Sequence, residues 1–196
     1  MKRILTLIIA TFCLLEAKAQ EEVAKYSNSY FNKQYRVSAS VKDGKIDFVS
    51  IGIEPSSAKI ANLFMDGDKV DDFRRAIESV RDKYKEWCNI AKENNVTEMN
   101  KEFDITFPTV GFSWYSSKWY ADFSQKLRLK FLIMKDGRMI VSHSPKLVSS
   151  ANKYIDEQVY FVIGGEADFD SLIKALDTEA MLSHLLSKKK DEDLFQ

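Results

Sequence analysis

Hydrophobic and polar positions alternate along the chain after residue 33. Apolar side chains occupy every second position from Tyr35 to Val41, and a second apolar run extends from Ile46 to Ile53. A two-residue period is typical of a strand with one buried face. Asp43-Gly44 separates the two runs and favours a type I′ turn, in which both central residues need positive φ. The pattern predicts a β-hairpin that ends at Pro55-Ser56-Ser57.

A longer period begins after Asp68 and predicts the longest helix. Asp68 is the expected N-cap, and Asp71 and Asp72 lie where the helix dipole favours negative charge. The other face of this helix mixes acidic and basic residues, as a solvent-exposed helix face does. The apolar residues fall three or four positions apart and form one amphipathic stripe: Phe73, Ile77, Val80, Tyr84, Trp87 and Ala91.

Strand-like alternation returns in the second half of the chain. Phe103 to Phe107 alternates up to Pro108, and further strands are expected up to Tyr115 and from Trp119 onward. A second Asp-Gly turn, Asp136-Gly137, predicts another hairpin. Its strands are expected at Leu127–Ile133 and Met139–His143.

The C-terminal part combines one short apolar run with two helical patterns. Val159 to Ile163 predicts a strand, and Gly164-Gly165 leads into a helix with Asp168 as its cap. The apolar residues of the two helices are Phe169, Leu172, Ile173 and Leu176, followed by Met181, Leu182, Leu185 and Leu186.

These elements predict a single α+β domain over residues 34–187. We expect an antiparallel sheet built from hairpins, with the long amphipathic helix on one face and the C-terminal helices at an edge. Residues 20–33 are expected to form a partly helical lead-in, and residues 188–196 a charged tail.

The first nineteen residues have the pattern of an export signal. Lys2 and Arg3 precede an apolar run from Ile4 to Leu15, and Ala17 and Ala19 match a small-x-small cleavage site. The run is too short for a bilayer-spanning helix, which needs about twenty residues. Cleavage after Ala19 would place the protein in the periplasm or outside the cell.

Two cysteines bear on this assignment in different ways. Cys13 raises the alternative of a lipoprotein, but it lies within the apolar run and follows the bulky Phe12, which disfavours lipid attachment. After cleavage only Cys88 remains, so no disulfide can form within the chain. Cys88 lies in the helical stripe and is expected to be a buried, inert thiol.

The charge balance argues against a nucleic-acid partner. The chain has 29 basic and 29 acidic residues, and the part after residue 19 has 26 and 28. A near-neutral domain lacks the basic patch with which proteins bind nucleic acids or acidic membranes.

The most unusual segment contains two Trp-Tyr dipeptides separated by a short polar loop. If residues 116–118 form the turn, Tyr115 faces Trp119 and Trp114 faces Tyr120 across the strands. Successive side chains alternate between the faces of a sheet, so each dipeptide sends one ring to each face. We expect at least one pair near solvent, where these four residues contact a protein or carbohydrate partner. Burial of all four rings and of Phe123 under helices would contradict this hypothesis. The alternative is that helices cover both faces.

Other candidate chemistry is weaker. Asp66, Asp68, Asp71 and Asp72 could hold calcium but lack the EF-hand spacing, so helix capping is the preferred explanation. Gly164-Gly165 has neither a dinucleotide-binding nor a Walker motif around it. We therefore expect no cofactor and no metal.

The leading hypothesis is a non-enzymatic exported binding or interaction domain that uses the aromatic hairpin. One alternative is a hydrolase-type enzyme in which His143 converges with acids such as Asp122 or Glu157. Ser142 and Ser144 adjoin this histidine, but neighbouring strand residues point to opposite faces. A second alternative is a structural or accessory protein of the cell envelope.

Overall fold

The computed structural model describes residues 20–143, 147–152 and 155–193, which form an α+β fold. The predicted signal peptide lies outside the described residues. In chain order the elements are β1 (Glu21–Asn28), β2 (Lys33–Lys42), β3 (Lys45–Pro55), β4 (Ile60–Asp66), α1 (Val70–Glu93), β5 (Met99–Glu102), β6 (Val110–Tyr115), β7 (Trp119–Gln125), β8 (Leu129–Ile133), β9 (Met139–His143), β10 (Leu147–Asn152), β11 (Ile155–Tyr160), β12 (Val162–Ile163), α2 (Glu166–Ala175) and α3 (Thr178–Asp193).

The strands form two antiparallel sheets. The larger sheet has the order β1-β2-β3-β4-β6-β7, and the β10–β11 hairpin joins it through the end of β3. The smaller sheet has the order β12-β9-β8-β5. No helix in the described part of the chain combines the length and the apolar character needed to cross a bilayer.

The two Asp-Gly hairpins and the long helix are confirmed. Asp43 and Gly44 have φ values of 51° and 74°, as a type I′ turn requires, and Gly137 has a φ of 84°. The buried face of α1 follows the predicted stripe from Phe73 to Ala91, with Trp87 half-buried at its margin.

The prediction for residues 20–33 is wrong, because this segment contains a strand. β1 pairs antiparallel with β2, and Tyr26 is buried and donates a hydrogen bond of 2.7 Å to the carbonyl of Gly52. The polar residues of β1 concealed its strand character, since only alternate positions face the core. At the other end of the chain, α3 continues through the predicted tail to Asp193.

The predicted strand from Phe103 to Phe107 is also wrong. The strand is β5, which ends at Glu102, and the following residues are extended without a continuing ladder. Phe103 stacks on Trp87 with ring centroids 4.7 Å apart, and Phe107 meets Phe73 edge-on at 5.5 Å. The apolar alternation from Phe103 to Phe107 therefore arises because the two rings pack against α1, and not because the segment pairs as a strand. β4 and β10 were not predicted.

Both predicted helix caps are replaced by other arrangements. Lys69, not Asp68, precedes α1, and a 3₁₀ turn over Gly67–Lys69 connects it to β4. A Cβ at Gly67 would lie 2.0 Å from the carbonyl oxygen of Ile46, so only glycine allows this close approach. Gly165, not Asp168, is the N-cap of α2.

One core unites the two sheets and the helices. It includes Ile51 and Leu63 from the larger sheet, Phe73 from α1, Phe131 from the smaller sheet and Leu172 from α2. The phenol of Tyr84 in α1 donates a hydrogen bond of 2.8 Å to the carbonyl of Met139, which links the long helix to β9. Each sheet therefore buries one face in a shared interior.

Two buried carboxylates hold distant turns to this core. Asp168 accepts hydrogen bonds of 2.8–3.0 Å from Gly164 N and from the backbone and hydroxyl of Ser29, which joins α2 to the turn after β1. Glu157 on β11 is 3% exposed. It accepts four hydrogen bonds of 2.7–3.1 Å from three backbone amides and one hydroxyl in residues 56–58.

The hydrogen bonds to Glu157 also determine the pKa of its carboxyl group. Burial opposes the charged form, but the hydrogen bonds from residues 56–58 outweigh it and hold the pKa of Glu157 below its usual value. A depressed folded pKa means that this carboxylate stabilises the fold above the unfolded pKa of about 4.3. The contribution is lost as the pH falls through the folded pKa.

We expect Glu157→Gln to lower the free energy of unfolding at pH 7 by roughly 2–3 kcal/mol. The side-chain NH2 group of glutamine is a hydrogen-bond donor and would face the donor groups of residues 56–58. Urea unfolding of the wild type and the variant measures this difference. The difference should shrink as the pH falls below the unfolded pKa of about 4.3, because the unfolded carboxyl is protonated first, and it should disappear once the pH is below the depressed folded pKa. Glu93→Gln, at an exposed helix end, is the control. Equal unfolding free energies for the two variants at pH 7 would contradict the assignment.

Candidate functional site

The aromatic hairpin has the register that the sequence predicts. In the β6–β7 pair, Tyr115 lies opposite Trp119 and Trp114 lies opposite Tyr120. The two pairs are on opposite faces of the larger sheet. Trp114 is 1% exposed, whereas Trp119 is 55% exposed. The two tryptophans therefore have different physical roles.

The inner pair belongs to the core. The Trp114 ring stacks on Tyr120 at 5.3 Å and lies 5.4 Å from the ring of Phe112. Lys118 Nζ lies 5.3 Å from the Tyr120 ring centroid, at the outer margin of the pair. A ligand cannot reach the Trp114 ring, so its predicted contact role is corrected to a packing role. Tyr120 keeps a half-buried position at the edge.

The outer pair forms one side of an open surface. Tyr115 and Trp119 have ring centroids 5.4 Å apart, and Ile60 on β4 lies directly opposite Tyr115. Ile60 is 49% exposed. These three side chains form the Trp119 wall, which faces solvent on the side of the sheet away from the core.

A second aromatic group lies on the same face. Phe48 stacks on Phe64 at 5.4 Å, and Phe123 meets Phe64 edge-on, also at 5.4 Å. Phe123 is 76% exposed, so its ring has one free face. These residues form the Phe123 wall. None of the three was predicted as a contact residue from the sequence, because strand pairing brings Phe48 against Phe64 and Phe64 against Phe123.

A glycine positions the Phe123 wall. Phe64 lies opposite Gly111 in the β4–β6 pair, and a Cβ at Gly111 would come within 2.2 Å of the Phe64 ring. The Phe64 ring therefore packs directly against the backbone of Gly111. This close approach leaves Phe64 almost buried and presents Phe123 beside it to solvent.

Small side chains separate the two walls. One row across four strands consists of Gly52, Asn62, Ser113 and Ala121, and Ser50 adjoins it on β3. Trp119 and Phe123 lie four residues apart on β7, which corresponds to about 13 Å along a strand. We call the two walls and this floor the outer groove. It consists of two adjoining depressions of about 660 and 540 Å³ that share Ser50, Asn62 and Trp119.

Charged groups lie at one end of the outer groove, and two of its cations are paired with carboxylates. Lys33 Nζ contacts both carboxylate oxygens of Glu54 at 2.7 and 2.8 Å, and the phenol of Tyr35 donates to Glu54 at 2.5 Å. Burial, together with this hydrogen bond, raises the pKa of Tyr35, which therefore stays protonated. Arg36 contacts Glu22 at 3.2 Å. The floor itself carries no ionisable side chain.

The geometry around His143 does not assemble a serine–histidine pair. Its Nδ1 accepts a hydrogen bond of 3.0 Å from the backbone amide of Arg128, and the Ser142 hydroxyl donates to the carbonyl of His143 and not to the imidazole. Burial lowers the pKa of His143 to about 4, so the ring is neutral near pH 7. Ser144 lies outside the described residues. The carboxylate of Glu157 is bound within residues 56–58.

Three of the acidic residues around the start of α1 contact other side chains. Asp66 contacts Lys69 at 2.6 Å, Asp72 pairs with Arg75, and Asp71 accepts a hydrogen bond from Thr178. Within the described residues, no three His, Cys, Asp or Glu side chains are grouped so that they could hold a metal ion. Cys88 is buried, and this burial raises the pKa of its thiol.

The different environments of the two tryptophans predict different stability effects. We expect Trp114→Ala to lower the free energy of unfolding by about 3–5 kcal/mol, because it leaves a large cavity in the core. Trp119→Ala should cost less than about 1 kcal/mol, because much of that ring is in solvent. Chemical denaturation of both variants measures the difference. Similar losses from the two substitutions would be inconsistent with these environments.

Comparisons with known proteins do not indicate a function for this surface. The chain matches no protein-family model and has no significant match among curated proteins or among solved structures. Any functional assignment therefore depends on the residues and the geometry of the outer groove.

Proposed function

We propose that this protein is an exported binding domain, non-enzymatic in its action, whose contact surface is the outer groove. The observation that carries the proposal is the joint exposure of Trp119 and Phe123 on the same uncovered face of the larger sheet. Exposed aromatic rings are typical anchors of recognition surfaces, because they bring a large contact area and have few rotatable bonds.

The organisation of the groove supports binding by more than one group. Ile60 extends the Trp119 wall, and Phe64 supports Phe123 from below. Scattered single apolar residues on a surface need no explanation, but a contiguous patch is typical of an interaction site. Because the rings belong to paired strands, they are held in place before a ligand arrives. Such preorganisation lowers the entropy lost on binding.

The site of action follows from the first nineteen residues. Their charge, apolar run and small-x-small pattern support export to the periplasm or the cell exterior. Gln20, the first residue after the proposed cleavage, borders the outer groove.

Export predicts a defined N-terminus. Protein recovered from the periplasmic or extracellular fraction should begin at Gln20, as read by mass spectrometry of its N-terminal peptide. Replacing Ala17 and Ala19 by leucine should block cleavage, because signal peptidase requires small residues there. Recovery of the uncleaved chain in the cytoplasm would refute export.

The contact surface is tested by binding of the purified protein to a cell-envelope preparation. We expect the wild type to bind and Trp119→Ala combined with Phe123→Ala to bind at least about tenfold more weakly, as for the loss of interface hot spots. Co-sedimentation over a range of protein concentrations measures the affinity.

Ile90→Ala is the matched control, since Ile90 is 46% exposed but lies on α1, away from the groove. It should bind as the wild type does. If the wild type fails to bind, or if the control loses as much affinity as the groove variant, the proposed function is wrong.

A further inference from the structure

We infer that the ligand of the outer groove is a neutral glycan, bound with its sugar rings against the aromatic walls and its hydroxyls on the floor. This inference rests on the proposed function and adds the chemical class of the ligand. It depends on three properties of the groove: unused hydrogen-bonding groups, aromatic faces and the absence of charge in the floor.

The floor and Ser38, which lies beside it on β2, offer polar groups that the fold does not use. In the part of the chain that the structure describes, the side chains of Ser38, Ser50, Asn62 and Ser113 make no hydrogen bond. Ser38 lies opposite Ser50, and Asn62 lies opposite Ser113, so these groups are adjacent across the strands. Hydroxyls and an amide can both donate and accept, as the hydroxyls of a sugar require.

The walls supply the apolar part of the recognition. The faces of a pyranose ring that carry C–H groups are apolar and pack on aromatic rings, whose faces are electron-rich. Trp119 and Phe123 stand about 13 Å apart along β7, with the small Ala121 between them. The floor from β3 to β7 spans three strand spacings, or about 14 Å, which gives room for a short oligosaccharide.

The charges favour a neutral ligand over an acidic one. Lys33 and Arg36 at the groove margin are already paired with Glu54 and Glu22. Lys59 is a further cation at the margin, but the floor residues Ser50, Asn62 and Ser113 are uncharged. A carboxylated or sulfated polymer would need basic groups within the floor to replace its hydration.

A protein partner fits the floor less well. The centre of a protein–protein interface is fully desolvated and mainly apolar. A flat apolar patch placed on this groove would leave the amide of Asn62 and the hydroxyls of Ser50 and Ser113 buried without partners, which costs free energy for each group. A glycan satisfies the same groups with its own hydroxyls.

The first experiment treats the envelope preparation before binding. One portion is digested with protease, one is oxidised with periodate, which cleaves vicinal diols of sugars, and one is left untreated. We expect the wild type to bind the digested portion as it binds the untreated one, and to lose at least about tenfold in affinity for the oxidised portion.

Purified polysaccharides provide the second probe. Affinity electrophoresis in gels that contain neutral xylan, mannan or mixed-linkage glucan should retard the wild type with at least one of them. Dextran sulfate, a polyanion, should cause no retardation. Retardation by dextran sulfate alone would overturn the neutral-glycan inference in favour of charge-driven binding.

Variants separate stacking and hydrogen bonding from general hydrophobic contact. Asn62→Ala should weaken glycan binding about tenfold, since it removes an amide that the fold does not use. Trp119→Phe should keep most of the affinity, whereas Trp119→Leu, which is apolar but not aromatic, should lose it. Ile90→Ala remains the control, and thermal unfolding shows whether each variant is folded.

The outcomes distinguish the two proposals. Envelope binding that is lost after protease, survives periodate and needs Trp119 would mean a protein partner, so that the proposed function stands and the glycan inference fails. No binding by the wild type to any preparation would overturn both. Equal binding by Asn62→Ala and the wild type would overturn the assigned role of the floor.

Discussion

The pairing register of the larger sheet determines which side chains enter the core and which remain on the surface. Val49, Ile51 and Ile53 on β3 point to one face and are almost fully buried, and Leu63 on β4 points the same way. A shift of one residue in this pairing would exchange the two faces of a strand. The same register that buries the aliphatic residues therefore brings Phe48, Phe64 and Phe123 together on the other side.

Buried carboxylates stabilise the turns that hydrophobic packing holds only weakly. Hairpins and surface turns bury little apolar area, so packing alone holds them weakly to the core. Glu157 and Asp168 accept hydrogen bonds from backbone amides of turns that are distant in sequence, and both residues are buried. A buried ionised group without such partners would strongly destabilise the fold. These two acids thus act as internal connections in a domain whose one described cysteine, Cys88, is free.

The outer groove combines two features that packing does not require. A sheet face that had no role beyond contact with water would carry charged side chains. Here the centre of the face consists of glycine, alanine, serine and asparagine, and its sides consist of exposed rings. Small floor residues let a ligand approach the sheet, and the neighbouring rings supply contact area. The proposed recognition of a ligand with both apolar faces and hydroxyl groups depends on this combination.

The sequence by itself determined the elements with strong local signals. The Asp-Gly turns need positive φ, the apolar stripe of α1 has a helical period, and the Trp-Tyr dipeptides predict their own cross-strand partners. It also predicted one exposed aromatic pair. It did not predict which of Trp114 and Trp119 is exposed, or that Phe48, Phe64 and Asn62 belong to the outer groove. Those residues are far apart in the chain, and their contacts depend on the order in which β3, β4, β6 and β7 pair. Tertiary structure alone decided which face is covered, because burial depends on every element that packs against the sheet and not on the local period.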